Sequence, residues 1–320
     1  MQGTEALDAA DLGLLELLGW LADEGYDFVA PTPATHARYL RRRGARGGRD
    51  LRDILGWSLP FRPGDAPRRL VDLLMAAGAL AAGGEFARSA IRVSCLKGRL
   101  FIHSAYPTDA TDAVFFGPDS YRFADFVERT VDTAFAGSAL DLGGGCGPGA
   151  VSLRDRAEGA RVTVTDINPL ALRYARLAAR HADLPMGFAQ ADGLEGAPDG
   201  LDLVIANPPY MAASAQTYRD GGDMHGARLS LDWARGALMR LKPGGRMCLY
   251  TGSAIAAGGA DRLRLGLERL CAEAGADLDY REIDPDVFGE ELEREAYAGV
   301  ERIAAVGCVL TAGRSRRIGG

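Results

Sequence analysis

Cysteine and long apolar runs are both scarce in this sequence of 320 residues. Its five cysteines are odd in number and scattered, and none forms a pair at metal-ligand spacing. They are therefore expected to be reduced, mostly buried thiols rather than disulfides or metal ligands. Glycine or arginine interrupts every apolar stretch before bilayer length, and no charged and apolar leader is found. We expect a cytoplasmic protein with no membrane partner and no metal.

A surplus of basic residues is also absent. The chain has 37 basic and 43 acidic residues, which give a formal net charge of −6. That balance argues against a nucleic-acid footprint over the whole surface, although it leaves room for a local basic patch. The apolar content of 47% and the 42 glycines are typical of a globular protein rich in turns. Its length predicts one large or two modest domains.

A short apolar run ends abruptly in a rigid polar turn between residues 201 and 211. The turn consists of Asn207, Pro208, Pro209 and Tyr210. This pattern indicates a buried strand whose carboxyl end faces a ligand, as in open α/β sheets. The Asn207 side-chain oxygen and the Pro208 carbonyl can hold both hydrogens of a planar NH2 group, and the Tyr210 ring can stack on it. These three are the predicted catalytic residues.

Upstream, a second strand-like run leads into a glycine-rich turn. The run covers residues 138–142 and includes Asp141 near its end, and the turn reads Gly-Gly-Gly-Cys-Gly-Pro-Gly over residues 143–149. Glycines let the backbone approach a ligand closely, and the N-terminus of the next helix can accept a carboxylate. The turn also fits a loose dinucleotide fingerprint, so by itself it leaves the cofactor open.

Two further predicted strands end in acidic residues. The strand 161–165 precedes Asp166, about 20 residues beyond the glycines, where a carboxylate can accept hydrogen bonds from both ribose hydroxyls. The strand 186–191 precedes Asp192. With Asp141 and Asn207, polar side chains thus stand at four strand ends. A nicotinamide dehydrogenase has no use for the last of them, which favours a methyl donor as the ligand.

Taken together, the Asp-x-Gly-x-Gly-x-Gly turn and the Asn-Pro-Pro-Tyr turn resemble those of class I methyltransferases that use S-adenosylmethionine (SAM). Both turns together match one branch of these enzymes, which methylates planar nitrogens. It includes the HemK-like protein-glutamine N5-methyltransferases and the N6-adenine methyltransferases of DNA and RNA. The resemblance covers about two thirds of the chain, from about residue 114 to the end. It implies a Rossmann-like α/β fold, with helices on both faces of the sheet and an antiparallel last strand.

The same resemblance implies SAM as the cofactor and assigns residues to it. In this pattern the acid after the third strand meets the adenine amino group. The predicted cofactor-binding residues are Asp141, Gly143, Gly145, Gly147, Asp166, Ile167, Asp192, Gly193 and Asn207.

The first third of the chain is predicted to be a separate domain. Helical spacing predicts helices over 7–21, 35–40, 51–57 and 68–80, and alternation predicts a hairpin over 86–103 that turns at Lys97 and Gly98. We therefore divide the chain into residues 1–112, a mainly helical N-terminal domain with a β-hairpin wing that serves as a substrate-recognition domain or lid, and residues 113–320, the methyltransferase domain.

This N-terminal segment carries a cluster of seven arginines: Arg38, Arg41, Arg42, Arg43, Arg46, Arg49 and Arg52. Such a cluster can bind the phosphates of a nucleic acid or of a nucleotide-bearing substrate. The alternative is a solvated turn between helices, partly neutralised by Asp50 and Asp53, and the sequence favours this alternative.

The predicted function is SAM-dependent methyl transfer to a planar amide or amine nitrogen of a protein or small molecule. An adenine in RNA or DNA is the alternative acceptor, supported only by the arginine cluster. The segment 116–122 departs from the Ile-Pro-Arg-Pro-Glu-Thr-Glu type segment of HemK-like enzymes, which argues against a release-factor glutamine. A SAM-binding module without activity is disfavoured, because a mere binder has no use for the Asn-Pro-Pro-Tyr turn.

The polar segment 211–225 is predicted to be a mobile loop over the acceptor pocket.

Overall fold

The computed structural model describes residues 7–44, 46–211 and 226–313. The chain folds as two compact units that interleave along the sequence. The first contains the described residues up to 121 together with 145–151 and 168–187, and the second contains those of 122–144, 152–167 and from 188 onward. The domain boundary that we placed between residues 112 and 113 stays a prediction.

The described part of the first unit begins with five helical segments, of which the first two have side-chain caps. They are α1 (Ala9–Asp23), α2 (Pro33–Arg43), a π-helix (Arg52–Gly56), a 3-10 helix (Pro63–Asp65) and α3 (Arg68–Ala76). Asp8 caps α1 in a reciprocal capping box with Asp11. Helix α2 is longer than predicted, because the Thr32 hydroxyl accepts a hydrogen bond from the Thr35 amide and Pro33 suits the first turn.

Two small antiparallel sheets complete this part of the first unit. Strand β1 (Leu80–Gly83) pairs with β2 (Phe86–Ser89), and β3 (Ile91–Leu96) pairs with β4 (Arg99–Ser104). Between β3 and β4, Lys97 and Gly98 have φ values of 50° and 80°. Positive φ at both central residues is what a tight two-residue hairpin turn requires. The predicted hairpin is therefore present from Ile91 to Ser104, with its turn at the predicted residues. Residues 86–89, which alternation assigned to its first strand, instead form β2 and pair with β1.

A buried histidine joins α2 to this hairpin. His36 is fully buried, and its Nε2 lies 3.0 Å from the Trp57 carbonyl oxygen, while Arg92 Nη1 lies 3.4 Å from its Nδ1. The ring stacks on Tyr106 with centroids 4.1 Å apart. Burial, reinforced by the positive charge of Arg92, lowers the pKa of His36 to about 4. The folded protein therefore holds a neutral imidazole here at pH values at which an unfolded chain would be protonated.

This histidine predicts an acid-side loss of stability. Because the folded pKa lies below the unfolded one, the free energy of unfolding should fall as the pH drops below about 6.5, and should level off near the folded pKa. We expect His36→Gln, which keeps a donor and an acceptor without titrating, to flatten that dependence. Denaturant titrations at pH 8, 6.5, 5.5 and 4.5 measure it, with pH 8 as the internal control. An unchanged slope in the variant would contradict the assignment.

The second unit is built on one mixed sheet with strand order β11-β12-β9-β8-β5-β6-β7, and β10 pairs with β9 at its end. The strands are β5 (Ser138–Leu142), β6 (Arg161–Asp166), β7 (Gly187–Gln190), β8 (Leu201–Ala206), β9 (Leu241–Ala256), β10 (Ala260–Asp261), β11 (Asp277–Asp284) and β12 (Val300–Thr311). Strands β6, β5, β8 and β9 are parallel neighbours. Strand β12 is antiparallel to both β9 and β11. The predicted Rossmann-like sheet with an antiparallel last strand is confirmed.

The remaining helices are α4 (Pro118–Thr130), α5 (Pro148–Arg156), α6 (Pro169–His181), α7 (Arg228–Arg240) and α8 (Arg262–Ala274). Short 3-10 helices cover Gly289–Glu293 and Glu295–Tyr297. Alternation along β12 assigns helices of the second unit to opposite faces of the sheet. Val306 and Cys308 share a core with Ala234 of α7 and Leu267 of α8. Gly307 lies between Val306 and Cys308 on β12 and faces the opposite side of the sheet. A Cβ at Gly307 would lie 2.7 Å from the ring of Phe126 in α4.

None of the described helices has both the length and the apolar composition to cross a lipid bilayer. All five cysteines are free, and four of them are buried.

Candidate active site

Three neighbouring parallel strands of the second unit end at one row of register partners. Leu142 of β5 pairs with Thr165 of β6 on one side and with Ala206 of β8 on the other. The residues that come next on these strands lie at the same edge of the sheet: Gly143, Asp166 and Asn207. Since adjacent strands are about 5 Å apart and β5 lies in the middle, about 10 Å separates the backbones of the two outer residues. The fold thus brings together three of the predicted site residues.

The glycine turn has a backbone that other residues rarely adopt. Gly143 has φ of 65°, in the left-handed region. Gly145 and Gly147, which belong to the first unit, have φ values of 57° and 88°. A side chain at these positions would strain the backbone, so glycine is required by conformation. Such a turn lets a ligand approach the backbone closely.

The start of this turn is held tightly against β6. The Gly144 amide donates a 2.9 Å hydrogen bond to the Thr165 carbonyl oxygen. A Cβ at Gly144 would lie 2.6 Å from Val164 Cγ1 and 3.0 Å from Asp141 Oδ2. The Asp141 side chain is fully buried directly beneath the turn. The Asp141 side chain is therefore in a position to order the glycine turn.

On the other side of β5, the end of β6 presents an acid and an apolar side chain. Asp166 is half-buried, and Ile167 next to it is 61% exposed, which is unusual for a large aliphatic residue. Their backbone is fixed by a 3.1 Å hydrogen bond from the Ala191 amide to the Asp166 carbonyl and a 3.0 Å bond from Gln190 Nε2 to the Ile167 carbonyl. A carboxylate beside an exposed apolar surface suits a nucleoside, which has a diol and a flat ring.

Asp192 and Gly193 follow β7, the strand beyond β6. Asp192 is exposed, and Gly193 has φ of 55°. Asp192 also accepts a 3.0 Å backbone hydrogen bond from Glu195 through its carbonyl, which closes a tight turn. Both residues therefore stand at the same sheet edge as Asp166, one strand further out.

Trp233 of α7 was missed by the sequence analysis. A Cβ at Gly143 would lie 2.5 Å from its indole ring, and a Cβ at Gly193 would lie 3.4 Å from its Nε1. The indole thus lies beside two glycines that were assigned to the cofactor. One signal was available: Trp233 is one of only three tryptophans in the chain. Nothing in the local pattern connects α7 to residues 143 and 193.

At the end of β8, Asn207 is half-buried, and its side chain makes no hydrogen bond to any other residue that the structure describes. Its amide oxygen is therefore available to a ligand. Pro208 is buried behind it. The fourth residue of the turn, Tyr210, is 7% exposed. The segment that we predicted to cover this end of the sheet lies, from residue 212 to 225, outside the described residues.

Two glycines and an aromatic ring hold Tyr210 in place. A Cβ at Gly252 of β9 would lie 2.2 Å from the Tyr210 ring, and a Cβ at Gly226 would lie 2.1 Å from the Tyr210 carbonyl oxygen. Phe288 approaches the ring edge-on, with centroids 6.1 Å apart. The ring rests directly on the backbone of β9, which only glycine at position 252 permits.

Because the Tyr210 ring lies against Gly252, adding one methyl group at position 252 should displace the ring. Gly252→Ala should push the Tyr210 ring off β9 and lower kcat by about tenfold or more, because displacements of about 1 Å cost that much or more when they misplace reacting groups. SAM affinity should change less than about threefold, because Tyr210 lies outside the predicted cofactor set. Gly289→Ala is the matched control, since its Cβ would have nothing within 4 Å. An unchanged kcat in a folded Gly252→Ala protein would show that the ring position is irrelevant.

The residues at this edge fit a nucleoside-bearing cofactor. A glycine turn that begins with a left-handed residue, a half-buried carboxylate and an exposed isoleucine stand at the ends of neighbouring strands. Within residues 7–44, 46–211 and 226–313, no group of three or more His, Cys, Asp or Glu side chains is placed to hold a metal ion.

The part of the chain that carries this site is similar to known proteins. Residues 123–255 match the family model of the methyltransferase small domain. A release factor glutamine methyltransferase from Deinococcus radiodurans is 30% identical over 155 residues, which is 48% of this chain and 55% of the relative. A ribosomal RNA small subunit methyltransferase C from Hahella chejuensis is 34% identical over 110 residues, which is 34% of this chain and 30% of the relative. The chain thus spans about half, or less, of these relatives' lengths.

Among solved structures, a putative transferase from Pyrococcus horikoshii has a TM-score of 0.52 and 12% identity, and the match covers 95% of this chain and all of that one. At that identity the likeness concerns the fold alone. The family match and the curated relatives confirm the predicted resemblance to class I SAM-dependent methyltransferases, and with it SAM as the cofactor of this domain.

Proposed function

We propose that this chain, with a methyltransferase small domain at residues 123–255, is a SAM-dependent methyltransferase that methylates a planar NH2 nitrogen. The observation that carries the proposal is the placement of Asn207. Its amide has no hydrogen-bond partner among the residues that the structure describes. Asn207 follows the same register row as Gly143 and Asp166, two strands from the acid assigned to the ribose. The acceptor group and the cofactor would therefore meet at one sheet edge.

Asn207 acts on the acceptor. The nitrogen of an amide or an aromatic amine is a weak nucleophile, because its lone pair is delocalised into the neighbouring π system. As the nitrogen forms a new bond, its N–H groups become more acidic and bind more strongly to acceptor oxygens. The Asn207 side-chain oxygen and the Pro208 carbonyl supply these acceptors, so they stabilise the transition state more than the ground state.

Asp166, Ile167 and the glycine turn hold the cofactor. Asp166 accepts hydrogen bonds from the ribose hydroxyls, Ile167 covers a face of the adenine ring, and Gly143 admits the ligand close to the backbone. When bound, SAM supplies the methyl group as an electrophilic sulfonium. Fixing both partners at one edge replaces a chance encounter with a fixed alignment, an effect that can contribute several kcal/mol.

The proposed acceptor is an amide or amine nitrogen on a protein or a small molecule. Its curated relatives are named as methyltransferases of a release factor glutamine and of ribosomal RNA, so they differ in acceptor class. A nucleobase amino group is the second candidate, because the exposed arginines of the first unit favour a polyanionic partner.

With five free thiols, of which four are buried, we place the protein in a reducing, cytoplasmic compartment.

Methyl-labelled SAM distinguishes these acceptors. The purified protein is incubated with labelled SAM and a desalted lysate of the host, to which the small-molecule fraction is added back in a separate reaction. We expect label to enter one of three fractions: protein, nucleic acid or small molecules. A parallel reaction without the protein serves as the background. If no fraction is labelled above that background while SAM binds, the protein is a SAM-binding module rather than an enzyme.

A further inference from the structure

The arginine cluster is the part of the molecule that the methyl-transfer site does not use. Residues 33–53 contain seven of the chain's 37 basic residues but only two of its 43 acidic residues. This segment therefore carries a charge of +5, while the rest of the chain carries −11. A strongly basic segment in an otherwise acidic protein is a local attractor for a polyanion.

The two acids of this segment are already engaged by the segment itself. Asp53 is 8% exposed, and its Oδ2 accepts hydrogen bonds from Arg43 Nη2 at 2.5 Å and from the Arg49 amide at 3.3 Å. Asp50 Oδ1 accepts the Asp53 amide at 2.8 Å. The expected neutralisation by these two acids is thus confined to Arg43, and they serve chiefly to shape the turn.

Two of the seven arginines have structural partners, and five do not. Arg43 pairs with Asp53, and Arg52 donates to the Asp27 carbonyl and lies over the Phe28 ring. The other five are exposed, and none of their side chains forms an ion pair or hydrogen bond with any residue the structure describes: Arg38, Arg41, Arg42, Arg46 and Arg49. We call these five the arginine face.

Helix stability does not account for the arginine face. Arg41 and Arg42 lie in the last turn of α2, where cations favour the helix dipole by about 0.3–1 kcal/mol each. Arg38, Arg46 and Arg49 lie outside that turn and gain nothing from it. Arg38, Arg41 and Arg42 are spaced i, i+3 and i+4, so they form one solvent-facing stripe on α2. The buried His36 lies on the side of α2 that packs against the unit.

Contacts within the first unit hold the described chain next to two arginines of this face, at Gly48 and at Tyr39. The Gly48 amide donates a 2.8 Å hydrogen bond to the Pro60 carbonyl, and a Cβ at Gly48 would lie 3.2 Å from Asp53, Ile54 and Leu59. Tyr39, between Arg38 and Arg41, stacks on Trp57 with centroids 3.8 Å apart, and both rings are half-buried. A fixed turn limits the ordering cost of binding, and aromatic rings among arginines can stack with unpaired bases.

We infer that the arginine face of the first unit binds the phosphodiester backbone of a nucleic acid. Guanidinium groups donate paired hydrogen bonds to phosphate oxygens, and five of them without internal partners can neutralise several phosphates. The acidic remainder of the chain restricts this contact to the one face. Binding itself needs no cofactor. The inference therefore rests on the proposed function in one respect only, namely which group of the bound nucleic acid is methylated.

Fluorescence anisotropy without SAM tests this inference. The probes are a fluorescein-labelled 20-nucleotide single-stranded RNA, the same sequence as DNA, and a labelled polyglutamate peptide of equal charge. Binding should weaken as KCl rises from 50 to 300 mM. The variant Arg38→Gln/Arg41→Gln/Arg42→Gln should lose about tenfold or more in affinity at 50 mM KCl, and its log–log salt slope should be shallower by about 2.

The matched control removes three exposed arginines of the same unit that have partners. Arg62 pairs with Glu85, Arg68 with Asp72 and Arg69 with Glu16. The triple glutamine variant at these positions changes the net charge equally and should keep affinity within about twofold. Preference for RNA or for DNA would identify which polymer is bound. Equal loss in the control, no binding at 50 mM KCl, or equally tight binding of the peptide would each overturn the inference. These outcomes leave SAM binding and label transfer to other acceptors unaffected, so the two proposals fail separately.

Discussion

Asn207→Ala should reduce kcat by about 100-fold or more, while the affinity for SAM changes by less than about threefold. The substitution removes one of two acceptor oxygens that strengthen their hold on the nitrogen only as it becomes bonded to the methyl carbon. Loss of a single transition-state hydrogen bond of this kind typically costs about 3 kcal/mol, which accounts for the expected factor. The Asn207 amide has no other described hydrogen-bond partner, so its removal leaves no buried group unsatisfied within the described part of the chain.

Single-turnover kinetics with labelled SAM, together with calorimetry for SAM affinity, measure this effect. Asn207→Asp is the informative companion variant. It keeps an acceptor oxygen at the same place, so it should retain more activity than alanine at a pH where the carboxylate is ionised. Full turnover in the alanine variant would reject the nitrogen-binding role of Asn207. Loss of SAM binding in both variants would move the residue from the acceptor to the cofactor.

Asp166→Ala should weaken SAM binding by about 100-fold or more, with a smaller effect on turnover at saturating SAM. Two hydrogen bonds from ribose hydroxyls to a carboxylate are lost, and hydrogen bonds to charged groups contribute about 1.5–3 kcal/mol each. The affected backbone should stay in place, because the Asp166 carbonyl, rather than its side chain, accepts the Ala191 amide at 3.1 Å. The effect should therefore be local to the ligand.

Isothermal titration calorimetry with SAM and with its demethylated product gives the two affinities. Asp199→Ala is the matched control, because Asp199 is an exposed acid of the same unit and its removal changes the net charge equally. Asp166→Asn should recover part of the lost affinity, since the amide oxygen still accepts a hydrogen bond. An affinity within about threefold of the parent protein for Asp166→Ala would exclude the ribose role.

The sequence predicted the individual strand ends well. The structure places Asp166 at the last position of β6 and Asn207 directly after β8, so both lie at strand ends as predicted. The antiparallel last strand and the hairpin turn at Lys97 and Gly98 were also predictable. These features depend on residues adjacent in the chain, whose alternation and turn propensities act over a few residues.

Contacts between distant segments were not predictable in the same way. The Tyr210 ring rests on Gly252, and the Trp233 indole lies beside Gly143, although in each pair the residues are far apart in sequence. The arginine cluster was visible in the sequence, but its electrostatic state was not. Asp50 and Asp53 had been expected to neutralise it, whereas the folded turn uses Asp53 for Arg43 and for backbone amides.

By itself, the sequence determined which residue types stand at which strand ends, and therefore the class of cofactor that the site suits. Only the tertiary structure decided that Leu142, Thr165 and Ala206 share one register row, so that the residues after them meet at one edge. It alone decided which arginines of the cluster pair with other residues that the structure describes. The physical reason is that strand order, register and ion pairing are set by packing and hydrogen bonds between segments that no local pattern connects.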